Sequence, residues 1–390
     1  MFSGLPRDNG VIETMDEKRK GTFHVLHVLT RLPVGGVENM LLKVVQGYDP
    51  ERFRVSICCI KEGGEIADRL KRLGYPVFVL GRMQGKGFDW PAMKDLYRLM
   101  KQEKIDILRT HQYHANFYGR IAGIFAGVPV IIPSFHNRYC SPEMPKAHRR
   151  FFNCLLALFS SRIVAVSDAV AADVIRYDRV NLKKVRVIHN GVDRERFNIG
   201  VSQEEARKRF GLTPACFLIG NAGRLSEQKG QRYLIEAAAG IDVSIAIAGD
   251  GPLRSELESL AAERHVRCNF LGMLRPEDIP LFMKSLDLFC FPSLWEGLPS
   301  ALAEAITAGL PVIASDIPSN KEVLGDAGVL VAAKDVVKLH GALQEAVKSR
   351  ELLPVLREKA RKQSAQFSIE HTVTAYEELF IQVLKAQGLA

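Results

Sequence analysis

From residue 22 onward, short runs of β-branched and apolar residues alternate with longer segments of helical spacing. The runs 23–30 (FHVLHVLT), 53–60 (FRVSICCI), 76–80, 105–109, 129–133, 162–166 and 185–189 read as strands. Between them, 37–47, 91–103 and 146–159 carry the apolar period of helices. A polar stretch near 193–213 interrupts the rhythm, which restarts with 217–222, 243–248, 266–271, 287–291 and 311–314. Strands apolar on both faces, each followed by a helix, imply βαβ crossovers and buried parallel sheets. The expectation is an α/β chain of two doubly wound, Rossmann-like domains, 22–193 and 194–367. The segment 368–388 is amphipathic, with Val373, Tyr376, Leu379, Phe380 and Val383 at helical spacing, and could join either domain. Residues 1–21 lack the apolar core of a secretion signal and are expected to be a disordered leader.

Composition narrows the class without naming a function. At 47% hydrophobic and 25% charged over 390 residues, the chain is not of a disordered, collagen-like or disulfide-stapled kind. Its best uncharged window, Ile121 to Phe135, is 15 residues long and contains Pro129 and Pro133. A spanning helix needs about 20 apolar residues. The seven cysteines include no C-x-x-C pair, and Cys58, Cys59, Cys154, Cys216 and Cys290 sit in apolar runs. That usage suits reduced thiols and a cytoplasmic location. No H-E-x-x-H, D-x-D or dense His/Cys cluster occurs, so no metal or other cofactor is expected.

The charge is less ordinary. The first 195 residues carry 31 basic and 20 acidic side chains, the remaining 195 carry 22 and 24. A basic first half either meets something anionic (a membrane surface, nucleic acid or a phosphorylated substrate) or is merely solvated. No basic stripe interleaved with aromatics appears, so nucleic acid is not an expected partner.

In open parallel sheets, ligands bind beyond the carboxyl ends of strands, and the candidate chemistry lies in those loops. After 23–30 come Gly35 and Gly36, opening onto a helix whose N-terminus suits phosphate; a plain glycine turn is the rival reading. After 217–222, Arg224 and Lys229 stand five residues apart, able to grip one diphosphate or to be a solvated basic loop. The stretch 291–316 places Glu296 in a strand-end loop and Glu304 on a helix that begins near Pro299 and stops at Gly309. Two such carboxylates suit vicinal hydroxyls of sugar and ribose, with Glu296 expected to be exposed in the loop mouth; an acid/base pair is the rival. His111 ends a strand facing the expected cleft, and His111, His114 and His136 lack the carboxylate or thiolate company of a metal set.

Taken together, EGLPSALAEAITAGLPVIASD, GRLSEQKG, VIHNGVDRERF, VLTRLPVGGVENML and VSDAVAADV resemble the retaining family 4 glycosyltransferases. The resemblance runs from about residue 22 to 386. It implies the GT-B fold, two Rossmann-like domains facing across a cleft, with the final helix crossing back to the first. It implies that Arg224 and Lys229 bind the diphosphate of a UDP- or GDP-sugar and stabilise the leaving group. Glu304 would hold the ribose, and Glu296 with the backbone of Gly297 and Leu298 would hold the donor sugar. Gly35 and Gly36 would let the first domain approach the phosphates, and His111 would lie near the anomeric carbon. Many members keep a histidine where this chain has Arg109, which puts the role of that partner in doubt. Asn190 and Gly191 match a signature and either shape the hinge or touch substrate.

The expected activity is metal-independent, retaining transfer of a sugar to a hydroxyl of a glycan or lipid-linked acceptor, in bacterial polysaccharide, lipopolysaccharide or glycolipid synthesis. Alternatives are a GT-B epimerase or hydrolase acting on the donor alone and, more remotely, a nucleic-acid-binding protein. The segment from Lys146 to Phe159 combines cations with a strongly apolar helix. It reads either as a patch contacting the inner face of the plasma membrane or as a core helix with a charged start.

Overall fold

The computed structural model describes residues 22–33, 35–85, 87–140, 144–213 and 216–390; the leader expected over 1–21 lies outside them. The first sheet contains β1 (Phe23–Arg31), β2 (Phe53–Glu62), β3 (Val77–Val79), β4 (Ile107–His111), β5 (Val130–Phe135), β6 (Ile163–Ala165) and β7 (Val185–Val187). Its order is β3-β2-β1-β4-β5-β6-β7, all parallel. The second contains β8 (Phe217–Ala222), β9 (Val243–Ala248), β10 (Arg267–Gly272), β11 (Leu288–Phe291), β12 (Val312–Ser315) and β13 (Val329–Val331), ordered β10-β9-β8-β11-β12-β13. These are the two doubly wound parallel sheets expected from the alternating pattern.

Departures are local. The run 105–109 forms its strand two residues later, because β4 must pair His27 of β1 with Arg109 and end beside β5. β13 was not anticipated: three residues at a sheet edge, with Val329 exposed, carry too little apolar signal.

Caps stop and start the helices. Asp89 accepts from Ala92 N–H, Ser167 from Val170 N–H and Ser368 from His371 N–H, and Ser202 with Glu205 forms a capping box. The helix Ile369–Ala386 buries Val373, Tyr376, Phe380 and Val383 in one core with Leu41 and Val45 of the helix Gly36–Gly47. The chain passes beneath it at Gly191, where a Cβ would collide with Ser368 O and Ile369 Cα. Val192 pairs with this crossing through Val192 N–H to Phe367 O, 2.7 Å, and Ile369 N–H to Val192 O, 3.1 Å.

The two halves touch at their strand-end loops. A methyl group on Gly36, first residue of its helix, would lie 3.2 Å from Oγ of Ser300, first residue of the helix Ser300–Thr307. Glu322 accepts from Asp168 N–H at 2.8 Å and lies 2.6 Å from His189 Nε2, tying the helix Pro318–Leu324 to the first half.

Candidate active site

Adjacent strands β8 and β11 carry the central charges. Lys229, after β8, places Nζ 2.6 Å from Oε1 of Glu296, after β11, and 5.4 Å from the Phe291 ring centre. Glu296 is therefore not the exposed carboxylate the sequence suggested. It is 5% exposed, because its loop folds back under Gln228 and Lys229, with Gln228 Nε2 3.4 Å from Oε2. Arg224 stays exposed, and its carbonyl accepts from Gln231 Nε2 at 3.1 Å.

Glu304 sits on the second turn of the helix Ser300–Thr307. Burial pushes its carboxyl up to about 7, an effect that Arg196 partly offsets. Arg196 belongs to the VIHNGVDRERF stretch and donates to Pro276 O. The two glutamates differ in their partners: Glu296 is matched by a cation in contact, whereas Glu304 has only the more distant Arg196.

The backbone of Gly297 is the meeting point of the halves. Its carbonyl accepts from Ser167 Oγ at 2.8 Å, and a Cβ at this position would run into the His136 carbonyl. Ser319 Oγ donates to Glu296 O at 2.6 Å, fixing the same loop from the other side, and Leu298 is buried behind it.

His111 lies where β4 ends, 2% exposed, with both ring nitrogens engaged. Nε2 is 3.1 Å from His27 Nδ1, and Nδ1 is 3.4 Å from His136 Nε2. The His27 and His111 rings stack at 5.3 Å. Burial, with the Arg109 guanidinium beside them, holds all three imidazoles below the usual range, His136 at about 4. Three neutral imidazoles in a row can donate only in a common direction, so their tautomers are linked. His114 stands apart from this row, and among the described residues no group of His, Cys, Asp and Glu is placed to hold a metal ion.

Arg109 faces the same side of the sheet, fully buried. Its guanidinium lies 3.6 Å from the Tyr376 ring centre and donates to Tyr48 Oη at 3.2 Å and Ser134 Oγ at 2.8 Å. It is held against the final helix, its charge engaged by Tyr376, Tyr48 and Ser134.

The structure therefore brings together, where the halves meet, Lys229 with Glu296, Gly297 and Leu298 with the His111 row through His136, and Gly36 with Ser300. Arg224 is exposed in the loop after β8, Gly35 caps the first helix, and Glu304 is on the helix Ser300–Thr307. Sequence reasoning overlooked His27, Ser167 and Ser319. The signal for His27 was a second histidine, beside His24, in a mostly apolar strand; Ser167 lay in the VSDAVAADV stretch without being singled out, and Ser319 carried no signal.

Two family models divide the chain between them: glycosyltransferase family 4 over residues 34–196 and glycosyl transferases group 1 over 202–363. The chain is 29% identical over 377 residues to the UDP-Gal:alpha-D-GlcNAc-diphosphoundecaprenol alpha-1,3-galactosyltransferase of Escherichia coli, covering 92% of this chain and 97% of that one. It is 26% identical to the putative glycosyltransferase EpsF of Bacillus subtilis, covering 76% and 80%. Anabaena HepE, solved in complex with UDP, superposes with a TM-score of 0.81 at 23% identity, covering 92% of this chain and all of that one. With both halves matched, and the halves facing across a cleft, the chain belongs to the GT-B glycosyltransferases of the group 1/family 4 type.

Proposed function

We propose that the enzyme transfers a sugar, with retention of configuration and without a metal, from a UDP- or GDP-sugar to a hydroxyl of a lipid-linked or glycan acceptor in bacterial cell-surface polysaccharide, lipopolysaccharide or glycolipid synthesis. The observation that carries it is the seat of the Lys229–Glu296 pair beside Gly297, at the point where the two halves meet. The lipid-linked acceptor rests on the Escherichia coli relative, whose name specifies one.

On this reading Lys229 and Arg224 receive the diphosphate, and the helix N-terminus at Gly36 adds its dipole from the opposite wall. Breaking the sugar–phosphate bond builds negative charge on the departing oxygen and positive charge on the ring. Fixed cations stabilise the first without reorganising. Glu304 holds the ribose hydroxyls. Glu296, neutralised by Lys229, accepts from sugar hydroxyls together with the Gly297 and Leu298 backbone. The acceptor hydroxyl attacks on the face from which the phosphate leaves, the leaving phosphate oxygen takes its proton, and the C–O bond to phosphate breaks as the new glycosidic bond forms. Closure of Gly297 onto His136 keeps water from the same face. A basic first half suits contact with the inner face of the plasma membrane, where such an acceptor resides.

Titration calorimetry with UDP, GDP and ADP, followed by NMR assignment of the product anomer, tests the reading. One nucleotide is expected to bind well ahead of the others, and the product to keep the donor's anomeric configuration. An inverted product would overturn retention, and donor turnover undiminished without acceptor would favour a hydrolase or epimerase.

A further inference from the structure

The helix Ala147–Leu158 turns large apolar side chains to solvent. Its outward positions are His148, Phe151, Phe152, Leu155 and Leu158, with Phe151 65% and Leu158 68% exposed. Its inward side buries Leu156 and Ala157 together with Asn153, which accepts from Arg120 Nη2 at 2.6 Å and donates to Tyr139 Oη at 3.3 Å. Apolar side chains on the outward face as well are more than a surface helix in water needs, and a contiguous exposed apolar face marks something that covers it.

The face continues beyond this helix. Ring contacts run from Phe151 to Phe152 at 5.8 Å, to Phe117 at 5.4 Å, to Phe88 at 6.2 Å and to Trp90 at 4.6 Å, and Trp90 is 72% exposed. Positive charge frames it. Residues 144–162 hold Lys146, Arg149, Arg150 and Arg162 and no acidic side chain. At the helix end, Lys184 Nζ donates to Ala157 O at 2.9 Å and Leu158 O at 2.8 Å.

We propose that this face is the site of membrane attachment: Phe151, Leu155 and Leu158 enter the interfacial region of an anionic bilayer while the flanking cations meet lipid phosphates. An apolar stripe bordered by cations, Lys146 among them exposed, fits such a surface on both counts. A second copy of the chain would satisfy the apolar side chains but would set the same cations against one another. The proposal rests on the reading of a lipid-linked acceptor and specifies how the enzyme reaches it. The strand-end segment that meets Gly297 at His136 runs on in sequence into this helix, so attachment here would keep the cleft near the bilayer.

The test is co-sedimentation of the full chain with phosphatidylcholine vesicles and with vesicles containing about a third phosphatidylglycerol. Preferential binding to the anionic vesicles is expected. The combined variant Phe151→Ser, Leu155→Ser, Leu158→Ser should lower partitioning about ten-fold or more. Lys146→Glu should lower it several-fold. Phe151→Trp should show fluorescence quenched by brominated lipid. Equal binding to both vesicles, or binding unaffected by the triple variant, would overturn the proposal. So would concentration-dependent self-association that the triple variant abolishes while vesicles are ignored. Nucleoside-diphosphate binding and donor hydrolysis, measured on the same samples, separate the two readings. Vesicle binding without either leaves the surface standing and removes the glycosyl-transfer reading; the reverse removes the surface alone.

Discussion

Lys229 Nζ and Glu296 Oε1 lie 2.6 Å apart, and both side chains are largely shielded from water. The pair joins loops from adjacent strands, so it positions the cation before any substrate arrives. On the proposed reading, an incoming diphosphate would share Lys229 with a carboxylate that has no other cation in contact among the described residues.

Removing one partner leaves the other buried and unmatched, which costs about 3 kcal/mol. Lys229→Ala is expected to lower stability by that order and transfer by about 100-fold or more. Lys229→Ala with Glu296→Gln should regain stability and not activity. Arg224→Ala, at an exposed position, should lose activity with an unchanged urea midpoint. Near-normal transfer by the folded double variant Arg224→Ala, Lys229→Ala would remove the phosphate assignment.

Glu304 supplies a pH dependence of its own. With its carboxyl raised to about 7, it would, on the proposed reading, accept both ribose hydroxyls as a carboxylate only above that value. Nucleotide affinity measured by calorimetry should therefore strengthen from pH 6 to pH 8, and Glu304→Gln should flatten the profile. The same shift acts against stability: the folded state keeps a proton that the unfolded chain sheds above about 4.5, so this contribution is lost as pH rises towards 7.

The histidine row acts in the opposite sense. His27, His111 and His136 remain neutral in the folded protein where the unfolded chain takes up protons, below about 6.5. Stability they contribute above that pH should fall on acidification, by about 1.4 kcal/mol per pH unit for each imidazole. Urea midpoints at pH 7.5 and 5.5 measure this. His27→Phe should reduce the slope, and an unchanged slope would mean that His27 takes up its proton equally in the folded and unfolded states.

Gly297 has no room for a side chain against the His136 carbonyl. Gly297→Ala should hold the cleft open, lowering kcat/KM by about 100-fold through misplacement of the sugar loop while the thermal midpoint barely moves. Small-angle scattering with nucleotide present should show a larger radius for the variant. An equally compact, active variant would show that closure tolerates displacement of this loop.

Much of the architecture was legible from local periodicity, since a strand buried on both faces must be apolar throughout and its crossover helix must be amphipathic. Helices placed at 37–47, 91–103 and 146–159 lie at Gly36–Gly47, Trp90–Gln102 and Ala147–Leu158. Sequence also collected Arg224, Lys229 and Glu296 as residues of strand-end loops, and Glu304 on the helix that follows one, because parallel sheets leave those ends to ligands. It could not assign their states. Whether Glu296 is solvent-exposed or matched, and whether Glu304 is ionised, depends on what β8 and β11 bring beside them through space. The row of His27, His111 and His136 spans three strands and exists only through their register. The segment from Lys146 to Phe159 makes the same point about surfaces: its composition admitted a core helix or a lipid-facing one. Only tertiary packing, by turning Asn153 inward to Arg120 and Phe151 outward to solvent, decided which side faces water.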